Sequence, residues 1–302
     1  MVLYLPDIVG LALLAAHLGF AASYGPGLAD PTFIGGAVVF VLLALVAFRS
    51  AQAMLPDDHA IHRWADWWAC LALLPIYLSL NQILDAAHRP TMDAALIAAD
   101  ARLFGAQASV WLSRHMHPWL TDWLFLAYAS YYFFVAGVGI WLGRTADRRV
   151  FHAYIAAIAG TFFLMMFGYI AVPAIGPRFT QAADMAGPLS GVFFGHHLDQ
   201  SFKQVTFFRD CFPSGHTTQT LVAMYFGIRY AGRRRGLVAP ALAIVGVSII
   251  FATLYCRMHY AVDLLAALPL ALFGITSCES LSRRFRPWAI APSLAAYVRQ
   301  RF

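Results

Sequence analysis

The sequence predicts an all-α integral membrane protein with about eight transmembrane helices, the last six of which form the catalytic core. Of its 302 residues, 61% are hydrophobic and only 12% are charged, whereas soluble domains carry about 25% charged residues. The apolar residues fall into long runs, most of them near the ~20 residues that cross a bilayer as a helix. A soluble core could not bury that much apolar surface, so we predict one membrane domain over residues 1–302.

The apolar runs define the spans in chain order. The first run lacks a basic N-terminal region and is long, so we predict a retained anchor rather than a cleaved signal peptide. Residues 87–121 have the pattern of short amphipathic helices at the interface, and residues 175–214 form a long loop of the kind that is usually functional. The predicted spans are residues 2–24, 32–53, 66–86, 122–143, 150–174, 215–231, 237–256 and 259–279.

Arginines concentrate in alternate connections between these spans, for example at residues 144–149 and 229–235. Because cytoplasmic loops are rich in Lys and Arg, we place these connections and both termini in the cytoplasm of a plasma (inner) membrane protein. This topology accounts for the net charge of +6. No basic run is interleaved with aromatic residues as a nucleic-acid groove requires, so we expect no nucleic-acid partner.

This topology also divides the membrane domain into three regions. We expect N-terminal spans at residues 1–86, a catalytic region at 87–280 and a basic cytoplasmic tail at 281–302. The catalytic region contains the two long segments that lie on the extracytoplasmic side. We therefore expect the active site at that face of the membrane.

The strongest local signal is the segment 210–218, which reads DCFPSGHTT. Ser214 is a natural N-cap for the sixth span, and the N–H groups of the turn that follows have no carbonyl of their own helix to bond. Such a helix N-terminus attracts phosphate. We therefore predict that Ser214 and Gly215 bind phosphate, and that His216, in the same turn, is an acid or base.

The second signal is the segment 257–263, which reads RMHYAVD. His259 and Asp263 are four residues apart and would share one face of a helix. A carboxylate beside an imidazole fixes its tautomer and raises its basicity, as in a catalytic triad. Because two spans separate this segment from His216, the chain crosses the membrane and returns. Both histidines are therefore expected at the same face.

Other polar residues are candidates for substrate contacts. Arg178, near the outer end of the fifth span, and Arg257 are predicted to bind phosphate oxygens. The alternative for both is an interfacial arginine that extends toward the water. Asp210, Asn81 and Asp85 are possible head-group contacts, with ordinary loop charges or helix–helix hydrogen bonds as the alternative.

Aromatic and cysteine residues near these segments have alternative interpretations too. Tyr128, Tyr131 and Tyr132 are interpreted as core and aromatic-belt residues, with a binding site for substrate as the alternative. Cys211 and Cys256 either form a disulfide between the two catalytic segments or remain two free thiols. We favour the interpretation as free thiols. With no CxxC pair in the chain, we expect no zinc site of known cysteine spacing.

These residues resemble the type-2 phosphatidic acid phosphatase superfamily over about residues 90–280. Residues 213–216 match its PSGH motif, and His259-xxx-Asp263 matches the end of its last motif. The resemblance implies that His259 is a nucleophile that forms a phosphohistidine, that Asp263 orients it and that His216 protonates the leaving group. It implies no metal and no cofactor.

The chain departs from the ordinary lipid phosphatases of that superfamily. Ala171 stands where their first motif has Lys, and Ala252 and Thr253 stand where their last motif has Ser-Arg. Asp210, four residues before Ser214, and the His-Tyr-x-x-Asp ending are similar to the sphingomyelin synthase and inositol phosphorylceramide synthase branch. The resemblance to this inositolphosphotransferase-like branch extends to Leu103-Phe104-Gly105.

Three functions follow as alternatives. The first is a phosphotransferase that moves a phospholipid head group to a lipid or polyol alcohol. The second is a phosphatase acting on phosphatidate or polyprenyl diphosphate, and the third is a non-catalytic lipid transporter. In each case the partners are membrane lipids, and the sequence leaves the oligomeric state undetermined.

Overall fold

The computed structural model describes residues 2–23, 31–56, 61–87, 89–194, 209–286 and 288–289. The part of the chain it describes is almost entirely helical. The exception is a two-residue antiparallel pair, in which Val2–Leu3 (β1) faces Trp288–Ala289 (β2). Most of the predicted basic tail, residues 287 and 290–302, lies outside the described residues.

Thirteen α-helices are assigned within the described ranges. Short 3₁₀ turns lie at Ala65–Trp67, Ala182–Asp184 and Gly232–Arg234. The helices are α1 Leu5–Ser23, α2 Pro31–Met54, α3 Ile61–Trp64, α4 Trp68–Ala86, α5 Asp93–Phe104, α6 Ala108–Ser113, α7 Pro118–Ala129, α8 Tyr131–Thr145, α9 Arg148–Ala171, α10 Pro177–Thr180, α11 Gly215–Arg229, α12 Arg235–Tyr255 and α13 Ala261–Arg284.

The predicted class, an all-α membrane protein, is confirmed. Seven of the eight predicted spans each coincide with one helix, whereas the fourth, residues 122–143, covers both α7 and α8. Five segments are long and apolar enough to cross a membrane. Helices α7 and α8, which meet at a 51° bend, would make a sixth if they form one span. Helices α4 and α11 are not among these segments, and α11 has only 15 residues. The figure of eight spans therefore stays a prediction.

The chain divides into two compact units, each made of segments that are distant in the sequence. The first consists of Met1–His88, Trp141–Phe163 and Gly274–Phe302, and the second of Arg89–Ile140 and Leu164–Phe273. All the catalytic residues predicted from the two motifs belong to the second unit. The predicted regional boundaries at 86 and 280 stay predictions.

The first unit contains a buried ionic network that the sequence did not reveal. Arg49 Nη2 lies 2.6 Å from Asp7 Oδ1, and Arg49 Nη1 lies 2.7 Å from Asp66 Oδ1. Asp66 Oδ2 also lies 2.8 Å from His152 Nε2 and 3.1 Å from Arg148 Nε. Two carboxylates thus face two guanidinium groups, so the network is neutral when the imidazole is neutral. Asp7, Arg49 and Asp66 are almost completely buried, and charges buried this deeply require such pairing.

Helix α12 packs against α7 and α11 in the second unit. Two glycines on these helices permit the close approach. A Cβ on Gly246 of α12 would collide with the side chain of Met224 on α11, and a Cβ on Gly227 would collide with Leu242. Small residues at helix contacts let the backbones of membrane helices pack closely.

Candidate active site

His259 and Asp263 form a buried hydrogen-bonded pair. His259 Nδ1 lies 3.2 Å from Asp263 Oδ2, and the two residues are 5% and 0% exposed. Helix α13 begins only at Ala261, so His259 lies just before the helix rather than within it as predicted. The backbone N–H of Tyr260 donates to the same Oδ2 at 2.8 Å and fixes the carboxylate. With Nδ1 directed at Asp263, the Nε2 atom of His259 remains for chemistry.

Cys211 joins this pair. Its Sγ lies 3.1 Å from Asp263 Oδ2 and 3.7 Å from His259 Nδ1. Burial, and then the neighbouring carboxylate of Asp263, raise the pKa of the Cys211 thiol well above its usual range. A neutral thiol therefore donates to Asp263. All four cysteines are free in the structure, so Cys211 and Cys256 form no disulfide.

Ser214 is the N-cap of α11, as the sequence predicted. Its Oγ accepts a hydrogen bond from the backbone N–H of Thr217 at 3.2 Å. The side chain is completely buried, so the hydroxyl serves the helix, and a direct contact with phosphate stays a prediction. The backbone N–H of Ser214 donates to the carbonyl of Asp263 at 3.2 Å, which joins the two predicted catalytic segments directly. Gly215 is the first residue of the helix.

His216 projects from the first turn of α11 into a pair of tyrosine rings. Its ring is stacked on Tyr128, with centroids 4.3 Å apart and planes at 17°, and it meets Tyr131 at 4.2 Å. The ring of His259 is 6.3 Å away between centroids. The structure therefore brings the two histidines together, as predicted. It also places at the site Tyr128 and Tyr131, which we interpret from the sequence as core and aromatic-belt residues. They lie on α7 and α8, on either side of the 51° bend, so no helical spacing signals their contact with His216.

Arg178 and Arg257 lie on adjacent backbone segments. The backbone N–H of Arg178 donates to the carbonyl of Arg257 at 3.0 Å. Arg178 Nη1 contacts the Sδ of Met258 at 3.8 Å, and its guanidinium lies over the Phe179 ring. Arg257 is 8% exposed and donates to the carbonyl of Gly187. The two arginines are thus brought together, and their contact with a phosphate stays a prediction.

Two carboxylates on α5 brace the site, and the sequence did not single them out for this role. Asp93 accepts hydrogen bonds from the backbone N–H groups of Ile175, at 3.2 Å, and Gly176, at 2.9 Å. Asp100 accepts from the N–H groups of Ala261 and Val262, at 2.9 and 2.8 Å, at the start of α13. Burial raises the pKa of Asp100, and these two N–H bonds oppose that shift.

The spacing of these two aspartates was the available signal. They are seven residues apart on a short helix, and this spacing puts two side chains on one face. Asp93 and Asp100 are 4% and 1% exposed. A single helix thus holds both the turn before Arg178 and the first turn of α13.

The three predicted head-group residues are placed differently. Asp210 is half-buried and lies in an isolated bridge with Ala174, next to Cys211. Asp85 is exposed on α4 of the first unit, and the side chain of Asn81, on the same helix, lies outside the described residues. Only Asp210 is thus shown beside the catalytic segments.

Comparisons with known proteins agree with the motifs. A family model described as the PAP2 superfamily matches residues 94–277, more than half of the chain. No curated protein and no solved structure matches. Membership supports phosphatase or phosphotransferase chemistry on lipids in general. With the two histidines and the aspartate of its motifs assembled in one unit, the chain belongs to the PAP2 superfamily.

Proposed function

We propose that this protein is a membrane lipid phosphotransferase that works through a phosphohistidine on His259. The observation that carries the proposal is the hydrogen bond between His259 Nδ1 and Asp263 Oδ2, with the His216 ring 6.3 Å away. A single tetrahedral phosphate can contact two imidazoles at that separation. One ring is then available as nucleophile and the other as acid and base.

The first step forms the covalent intermediate. The lone pair of His259 Nε2 attacks the phosphorus of a phospholipid, and the bond from phosphorus to the lipid oxygen breaks. His216 gives its proton to that oxygen, so that the lipid leaves as an alcohol. Asp263 stabilises the positive charge that develops on His259 through its hydrogen bond to Nδ1.

The second step regenerates the enzyme. His216 removes the proton of an acceptor hydroxyl, whose oxygen attacks the phosphorus. The bond between phosphorus and Nε2 breaks, and its electron pair returns to His259. Charge on the phosphoryl oxygens would be stabilised by the helix N-terminus at Gly215, which Ser214 caps, and by the guanidinium groups of Arg178 and Arg257.

The transferase version is supported by the departures from phosphatase motifs. Two features favour the sphingomyelin synthase and inositol phosphorylceramide synthase branch. Residues of the phosphatase motifs are replaced by Ala171, Ala252 and Thr253, and Asp210 precedes the PSGH motif. We therefore propose a phospholipid head group as the transferred group, and a lipid or polyol alcohol as the acceptor. Head-group contacts are proposed for Asp210, and for Asn81 and Asp85. No cofactor or metal enters the cycle.

A lipid phosphate phosphatase is the second candidate. Water would replace the acceptor alcohol in the second step, and phosphatidate or polyprenyl diphosphate would be the substrate. The complete set of His216, His259 and Asp263 supports either enzyme over a lipid transporter. We propose the plasma membrane as its location, with cytoplasmic termini and the site at the extracytoplasmic face.

The deciding experiment uses the purified full chain in detergent. Radiolabelled lipid phosphates and phospholipids are supplied with and without ceramide or diacylglycerol, beside a His259→Ala control. Transfer of label to the second lipid, absent from the control, is expected. Prompt release of inorganic phosphate without acceptor would establish the phosphatase instead, and equal activity of the His259→Ala protein would refute both enzymes.

A further inference from the structure

We propose that Cys211, His259 and Asp263 form a binding site for a thiophilic divalent cation of the zinc type, and that the cation inhibits the enzyme. Metal binding at this site requires only the three side chains and does not depend on the proposed function. The inhibition rests on the proposed function, because it requires His259 to be the nucleophile.

The distances between the ligand atoms fit a tetrahedral metal. Cys211 Sγ lies 3.1 Å from Asp263 Oδ2 and 3.7 Å from His259 Nδ1, and those two atoms are 3.2 Å apart. With Zn–S bonds of about 2.3 Å and Zn–N or Zn–O bonds of about 2.0 Å, a tetrahedral site has edges of about 3.3–3.6 Å. Small shifts of the side chains would therefore let all three atoms bind one ion.

The charge of the cluster also favours a cation. With a neutral thiol and a neutral imidazole, the cluster carries the single negative charge of Asp263, which is completely buried. Its Oδ1 atom has no hydrogen-bond partner among the described residues. A divalent cation that displaces the thiol proton to solvent binds one thiolate, one carboxylate and one neutral imidazole, so the net charge becomes zero. Buried charge is costly unless it is compensated.

The backbone holds the ligands in place before any metal arrives. The N–H of Cys211 donates to the carbonyl of Ala174 at 3.1 Å, and the N–H of Tyr260 donates to Asp263 Oδ2. Cys211 Sγ also lies 3.3 Å from the carbonyl oxygen of Met258. Because catalytic zinc sites have three protein ligands and one open position, a water or a phosphate oxygen would complete the coordination.

Inhibition follows from the atom that the metal occupies. Metal on Nδ1 of His259 replaces the hydrogen bond to Asp263 and withdraws electron density from the ring. The proton that Nδ1 carried moves to Nε2, whose lone pair is then no longer available to attack phosphorus. The cation therefore competes with the catalytic arrangement of the pair rather than assisting the reaction.

Binding is tested with Co²⁺ on the purified full chain, because a cobalt–thiolate bond gives a near-ultraviolet charge-transfer band. The wild type is compared with Cys211→Ala, and with Cys256→Ala, which removes another buried free thiol. We expect one equivalent of Co²⁺ to give the band in the wild type and in Cys256→Ala, and no band in Cys211→Ala or His259→Ala. A wild type without the band, or a Cys211→Ala protein that keeps it, overturns the site. Size-exclusion profiles confirm that each variant is folded.

Inhibition is measured as the rate at increasing Zn²⁺ relative to the rate of the same variant with chelator. We expect the inhibitory concentration to rise at least about tenfold in Cys211→Ala, since even outer-shell partners change metal affinity by about 10–100-fold. It should stay at the wild-type value in Cys256→Ala. Equal sensitivity of the two variants refutes inhibition through this site. A protein that binds Co²⁺ through Cys211 but transfers no phosphoryl group contradicts the proposed function alone.

Discussion

The hydroxyl of Tyr260 donates a hydrogen bond to Asp93 Oδ1 at 2.8 Å, across 167 positions of the chain. The same carboxylate accepts from the backbone N–H groups of Ile175 and Gly176. Tyr260 follows the proposed nucleophile His259 directly. Asp93 therefore joins the segment of the nucleophile to the turn that precedes Arg178. Replacing this carboxylate should disturb the positions of both segments.

Replacing Asp93 with Asn should lower kcat at least about tenfold, because the amide cannot accept all three bonds and charge-assisted hydrogen bonds contribute about 1.5–3 kcal/mol. The matched control is Asp122→Asn. Asp122 is equally buried and accepts three backbone N–H bonds from residues 192–194. Both variants should lose stability in a thermal unfolding assay. An equal loss of kcat in the two would mean that Asp93 acts through general stability and not through the site.

Asp263→Asn should lower kcat by about 10²–10⁴-fold, by analogy with the buried aspartate of serine protease triads. The amide can direct an N–H at His259 Nδ1 and so select the wrong tautomer. Rapid quenching with radiolabelled substrate measures the acid-labile, base-stable phosphohistidine. The variant should form it more slowly. A wild-type rate of its formation would show that Asp263 does not orient the nucleophile.

The stacking of Tyr128 on His216 predicts that two substitutions of Tyr128 lower the activity to different extents. Tyr128→Phe keeps the ring and should retain most of the activity. Tyr128→Leu should lower kcat about two- to tenfold, since aromatic pairs contribute about 0.5–1.5 kcal/mol. The pH profile of kcat should shift only in the Leu variant, because His216 is the group repositioned. Tyr132→Leu is the control, since Tyr132 is 70% exposed and packs on Tyr131.

The ionic network of the first unit predicts different costs for two arginines that share Asp66. The side chain of Arg49 is 1% exposed, and that of Arg148 is 42% exposed. Arg49→Met leaves buried carboxylates uncompensated and should destabilise the protein by about 3–5 kcal/mol. Arg148→Met should cost about 0–1 kcal/mol, because solvent screens the exposed pair. Unfolding in a denaturing detergent gives both values, and similar costs would contradict the burial argument.

Gly176 should not tolerate alanine, although the substitution is small. Its φ is +91°, and a Cβ would lie 2.9 Å from the carbonyl oxygen of Met258 and 3.2 Å from Cys211 Sγ. Gly176→Ala should therefore lower both stability and kcat. In Gly105→Ala, φ is +70° but no atom of the described residues beyond the chain neighbours lies within 4 Å of the added Cβ, so only the backbone strain of about 1–2 kcal/mol should appear. Unchanged kcat in Gly176→Ala would show that this close approach does not position the site.

Hydrophobic run lengths and local motifs were enough to predict the membrane class and the assembly of His216, His259 and Asp263. The membrane class and the helix start at Ser214 are encoded locally: a helix that crosses a bilayer needs a continuous apolar run, and the N-cap at Ser214 depends on residues within one turn. The spacing between the two motifs also predicted that the two histidines meet, because two consecutive helices, α11 and α12, lead the chain away from His216 and back to His259.

The surroundings of the catalytic residues were decided only by tertiary structure. Asp93 and Asp100 stand out only when α5 is laid beside the turns at 175–176 and 261–262. The sequence does not distinguish Tyr128 and Tyr131 from other aromatic residues, and only the structure shows that their rings contact His216. The Cys211 thiol becomes part of a cluster because two segments about 50 residues apart meet at Asp263. A sequence pattern specifies which face of a helix is apolar, whereas the pairing of polar groups between distant segments depends on how the helices pack.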